Sequence, residues 1–218
     1  MVALRRSGGV VAMFWRGKLL EPASAQFAQA LTKRRFRSIE QAASEEVSIG
    51  WVTAGDPTGE HFAAEELDAG PACWLRLRID KKVLPRKWLA IWRAEAERSK
   101  GRKLSARERR ELKDELQERL LPRVLPTVNL VDALLFHDRR TVLLFATGSS
   151  VREAFGKLFF ETFALPLERG DPLACARRTG LDKEALAALE GVEPVHWLPR
   201  PAAAPAANRT TADAELEA

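Results

Sequence analysis

Between positions 76 and 110 the chain concentrates the residues whose chemistry is easiest to name. Fourteen Lys and Arg stand there against four acids, a local charge of +10 in a 218-residue chain whose net charge is +5. Ammonium and guanidinium groups at that density suit a polyanion rather than a small substrate. A cation placed on a phosphate oxygen releases condensed counterions, the main source of sequence-independent affinity for nucleic acid. The candidate contact residues are Arg76, Arg78, Lys81, Lys82, Arg86, Lys87, Arg98, Lys100, Arg102, Lys103, Arg107, Arg109 and Arg110. Seven of them crowd residues 98–110, where Glu108 is the single acid. The plain alternative is a solubilising surface, because basic runs on helices often have no other duty. A second chemistry is open to Trp74, which shares one strand face with Arg76 and Arg78 and could stack bases. No RNP1-like pattern accompanies it.

Other chemistries find no support. The sequence holds no GxSxG, Walker A, HExxH or dinucleotide-binding pattern. His61, His137 and His196 are isolated and lack metal-ligand spacing. His137 precedes Asp138 in what reads as a hairpin turn, where such a pair usually solvates the turn. Glu45-Glu46 and Glu65-Glu66 read as solvated acidic loops rather than a nuclease metal site. Cys73 and Cys175 are far apart and outside any CxxC motif, which suits a reducing cytosol. The expectation is therefore a non-enzymatic protein with no catalytic residues, no metal and no cofactor.

No stretch approaches the ~20 apolar residues a membrane helix requires. Arg5 and Arg6 precede an apolar run over residues 10–15, but Arg16 closes it too early for a signal-peptide core. That run reads as a buried first strand in a cytoplasmic protein.

The elements that position the basic block follow from periodicity. A helix is predicted over 23–35 and a strand at Val47, Ile49 and Trp51, ended by Ala54-Gly55-Asp56-Pro57. Residues 61–70 form an acidic connector. In 73–80, Cys73, Leu75, Leu77 and Ile79 alternate with Trp74, Arg76, Arg78 and Asp80, so the first set should face the core and the second should look outward. Pro85 opens a helix whose apolar stripe is Trp88, Ile91 and Trp92, and Gly101 stops it. Ser105 and Glu108 match a capping box for a second helix carrying Leu112, Leu116 and Leu120. Two strands over 127–136 and 141–147, a helix after Ser149-Ser150 and a short helix over 183–190 complete the order.

The order β-α-β-β-αα-β-β-α predicts an α+β fold: a mainly antiparallel sheet with packed helices and a protruding basic helical hairpin at about 85–122. Residues 1–198 read as one region. Residues 199–218, Pro/Ala-rich and polar, read as a disordered tail.

Four segments in this order resemble the bacterial recombination-associated protein RdgC family. They are Ile49-Gly50-Trp51-Val52, Lys82-Val83-Leu84-Pro85, the basic turn leading through Leu112-Lys113-Asp114-Glu115 to Leu120-Leu121-Pro122-Arg123, and the hairpin and helix over 127–165. The resemblance spans roughly residues 10–170. It implies a non-catalytic, nucleoid-associated protein that binds double-stranded DNA with little sequence preference. It also implies a homodimer that encircles DNA, an indirect link to recombinase filaments, and a dimer contact near residues 120–125. Family members continue past the point where this chain becomes its Pro/Ala tail, so the chain reads as a member shortened at its C-terminus. The alternative is an interaction module whose basic hairpin docks an acidic protein partner.

Overall fold

A computed structural model describes residues 9–22 and 24–192. The expected tail at 199–218, and the reading of 193–198 as part of the folded region, lie outside the described residues. The chain divides into two compact units, residues 1–174 and 175–218.

The first unit is built on one six-stranded sheet, entirely antiparallel, in the order β2-β3-β4-β5-β1-β6. Its strands are β1 (Val11–Trp15), β2 (Val47–Val52), β3 (Cys73–Lys81), β4 (Thr127–Phe136), β5 (Thr141–Leu144) and β6 (Leu167–Arg169). The expected α+β class with a mainly antiparallel sheet is the observed one. β6 escapes the sequence reading because three residues are too few to show alternation.

Helices α1 (Ala25–Lys33) and α5 (Ser149–Phe163) cover one sheet face. α1 starts at Ser24, whose hydroxyl accepts from the Phe27 N–H at 3.2 Å. It buries Phe27 and Leu31 one turn apart. From α5, Phe155 meets Trp51 edge-to-face at 5.6 Å and Phe163 stacks on Phe27 at 5.0 Å. Trp51 is buried because its indole N–H finds the Thr162 hydroxyl at 2.8 Å. The short helix α2 (Ala64–Leu67) lies within the acidic connector and buries Leu67.

The other sheet face departs from expectation. Trp74, Arg76, Arg78 and Asp80 do not look out into solvent: Arg76 is only 6% exposed, Asp80 is fully buried, and Trp74 and Arg78 are half-buried. Strand alternation assigns residues to faces but is silent on whether a face is covered. Here the segment before β2 crosses directly over Gly50. A Cβ on Gly50 would stand 2.4 Å from the Phe36 N and Cα, so only glycine permits the crossing. Phe36 then lies under the Arg78 guanidinium, 4.1 Å from ring centre to Cζ, and the Pro57 carbonyl accepts from it at 2.8 Å.

Helices α3 (Arg86–Lys100) and α4 (Ala106–Leu120) form an excursion between β3 and β4. These strands are neighbours, and Lys81 pairs with Thr127, so the chain leaves and re-enters the sheet at one place. A single 3-10 turn, Leu121–Arg123, follows α4. α4 is tied down by buried Leu116 and Leu121 and by a hydrogen bond from Gln117 to Glu46.

Helix α6 (Pro172–Arg178) begins with the Asp171 carboxylate accepting from the Ala174 N–H at 2.7 Å. In the second unit, α7 (Lys183–Glu190) is capped by Asp182, as its sequence predicts, and Glu190 pairs with Arg177 at 3.2 Å. No helix among the described residues is long and apolar enough to cross a membrane.

Candidate nucleic-acid interface

α3 begins at Pro85, which has no N–H to leave unpaired and a fixed φ suited to a helix start. Its first turn carries Arg86 and Lys87 and no acid. The helix dipole already places partial positive charge there, so two further cations are unfavourable unless an anion joins them. The helix ends at Gly101, whose φ of +64° is left-handed, and the Gly101 N–H reaches the Arg98 carbonyl.

Residues 101–105 turn the chain into α4. Leu104 is buried there, and its N–H donates to Glu97, which also accepts from Arg93 at 2.9 Å. The Arg93 hydrogen bond, then that from the Leu104 N–H, hold the Glu97 carboxyl below its ordinary value. Ser105 and Glu108 form the expected capping box. Glu108 has a second duty: it accepts from Arg102 at 2.8 and 2.9 Å and from Lys100 at 2.8 Å. Arg102 first, then Lys100 and Ser105, hold the Glu108 carboxyl well below the usual carboxylate range. The same contact raises Arg102.

The thirteen sequence-selected cations therefore sort into distinct environments. Arg76 lies inside the molecule, bonded to Asp132 at 2.6 and 3.1 Å, and the Trp74 indole N–H shares the same carboxylate at 2.9 Å. Lys82 is 2% exposed, with its ammonium on the Ala42 carbonyl at 2.8 Å and its N–H on the Glu46 carbonyl. Arg78 is half-buried and chelated by Asp80 at 2.7 and 2.8 Å. Lys100, Arg102 and Arg107 are exposed but paired, the last with Glu111 at 2.8 Å. Lys81, Arg86, Lys87, Arg98, Lys103, Arg109 and Arg110 are exposed and form no ion pair among the described residues.

The apolar stripe of α3 is not a core stripe. α3 buries no residue completely, and Trp88 and Ile91 are each 53% exposed. Trp88 stacks on Trp92 with ring centres 5.4 Å apart, and the Arg119 guanidinium sits 5.8 Å from the Trp92 ring centre. Sequence reading passed over Arg119 and Arg123. Their spacing of four across the end of α4 is the signal that could have paired them on one side.

Among the described residues, no three His, Cys, Asp or Glu side chains gather into a group that could hold a metal ion. His137 lies against the Leu19 carbonyl at 3.3 Å and Glu21 at 3.7 Å, lining an open cavity of about 480 Å³ with Glu65, Asp68 and Asp138.

Fold and surface define an α+β protein on a single antiparallel sheet, with a cation-rich helix pair inserted between two adjacent strands. The chain belongs to the RdgC family: residues 12–172 match the family model described as "Putative exonuclease, RdgC". No curated protein matches the sequence.

Proposed function

We propose that this chain is a non-catalytic DNA-binding protein that grips the phosphate backbone with little regard to sequence. The observation carrying this is the set of seven exposed, unpaired cations within residues 81–110, on β3, α3, α4 and the turn between the helices. Phosphate contacts position a protein on DNA without reading bases, so base specificity is low. Lys100, Arg102 and Arg107 form a reserve that must first exchange a carboxylate for a phosphate. Arg76, Arg78 and Lys82 serve the fold and lie outside the proposed contact set.

Family membership supports a role in recombination. On this reading the protein works as a homodimer on double-stranded DNA in the nucleoid and limits recombinase filaments by occupying their template. Because the family's description names an exonuclease, the test includes a search for catalysis.

The experiment is a titration of a labelled duplex by fluorescence anisotropy over a salt series without added metal. Tight binding with a steep negative salt slope is expected. Replacing Arg102, Lys103, Arg107 and Arg110 together with Glu should abolish binding while the circular dichroism spectrum is retained. Unchanged affinity in that variant removes the helix pair from the mechanism. Metal-dependent shortening of the duplex by purified protein would overturn the non-catalytic reading. Salt-sensitive association with an acidic protein, and none with DNA, would replace it with a docking module.

A further inference from the structure

The tryptophan pair on α3 has no structural duty. Leu84, Pro85, Leu89, Leu120 and Val124 join Trp88 and Trp92 around an open groove of about 320 Å³. No acid lines it, and Arg123 forms part of its wall. Arg119 lies against Trp92, while Arg86 and Lys87 occupy the turn that leads into Trp88. An indole more than half exposed beside a second one keeps apolar surface in water that a folded chain ordinarily hides.

We infer that this groove receives an unpaired base of single-stranded DNA, stacked against Trp88, with Arg86, Lys87, Arg119 and Arg123 taking the phosphates on either side. The inference rests on the DNA-binding reading above and deepens it by assigning a strand state to one part of the surface. Its chemistry follows from what the groove asks of an occupant: a flat apolar face next to negative charge. Nucleobases meet the first demand whatever their identity, because each has a π-face. Bases inside a duplex are stacked on one another and cannot reach the ring, so the groove discriminates strand state rather than sequence. A second copy of the chain is a poorer occupant. A two-fold contact through this patch would bring Arg119 and Arg123 toward their own equivalents, and like charges oppose it.

The test compares an oligothymidylate, an oligomer of equal length with abasic sites, and a duplex, using the wild-type protein and the variants Trp88→Ala and Trp88→Phe. Oligothymidylate should quench tryptophan emission and bind about ten-fold more tightly than the abasic strand. W88A should lose about ten-fold in oligothymidylate affinity and most of the quenching, with duplex affinity unchanged. W88F should keep most of the affinity, which separates stacking from a folding defect. Equal binding of the thymidylate and abasic strands, or equal losses on duplex and single strand in W88A, overturns the inference while leaving phosphate binding standing. Concentration-dependent self-association without DNA that W88A abolishes makes the groove a contact between copies, and also overturns it. Failure of the wild type to bind any DNA removes the underlying function as well.

Discussion

Glu108→Gln tests the division between paired and unpaired cations with one atom's change. Glu108 holds Lys100 and Arg102 at 2.8 Å while closing the capping box at the start of α4. Glutamine at the same position can still accept from the Ser105 N–H, so the helix start survives. What disappears is the negative charge that occupies two cations. If all seven unpaired cations meet phosphates, the slope of log K against log salt is at most about −6 for the wild type. Freeing Lys100 and Arg102 steepens it to about −8. Doubling the salt then weakens wild-type binding by up to about 80-fold and the variant by up to about 270-fold. The difference of ~1.8 in slope holds even if only part of the unpaired set reaches DNA. Anisotropy titrations of one duplex at several salt concentrations read it directly. Glu111→Gln, which releases Arg107 alone, should steepen the slope by about half as much. Equal slopes for wild type and E108Q, with helicity unchanged, would show that Lys100 and Arg102 do not meet phosphate. A shallower slope would place the DNA elsewhere.

Three further predictions concern the scaffold. Asp132→Ala strands the buried Arg76 guanidinium and the Trp74 indole N–H, and should cost about 3–5 kcal/mol in urea unfolding; replacing Arg76 and Asp132 together with leucine should recover most of that loss. Gly50→Ala drives a methyl group into the backbone at Phe36 and should destabilise the protein by ~3 kcal/mol or more, read as a lowered Tm or loss of soluble protein. Burial works to raise the Asp56 carboxyl, but hydrogen bonds from the Thr58 side chain and from the His61, Thr58 and Glu60 N–H groups hold it well below its ordinary value. A carboxyl depressed in the folded state contributes stability above its unfolded pKa of about 4 and loses it as pH falls through the acid range. Urea midpoints should therefore drop below about pH 4, and Asp56→Asn should be less stable at neutral pH with a flatter acid limb.

Much of the architecture is legible along the chain because its causes are local. A hydroxyl or carboxylate three residues ahead of an orphan amide marks a helix start whatever surrounds it, which is why Ser105 with Glu108 and Asp182 are found where the sequence places them. Period-two alternation sets the two faces of β3, and Gly101 ends α3 because only a left-handed residue closes that helix cheaply. The density of Lys and Arg over residues 76–110 is likewise a property of the sequence.

Tertiary structure decided which of those charges are available. Arg76 meets Asp132 across 56 residues, and Lys82 meets Ala42 across 40, so neither partnership leaves a periodic trace. The second face of β3 is covered because a distant segment crosses Gly50, which no alternation pattern reveals. The Trp88, Ile91 and Trp92 stripe has the spacing of a core-facing helix, yet α3 buries no residue. Local spacing fixes the direction in which a side chain points; burial and pairing depend on what the rest of the chain brings to meet it.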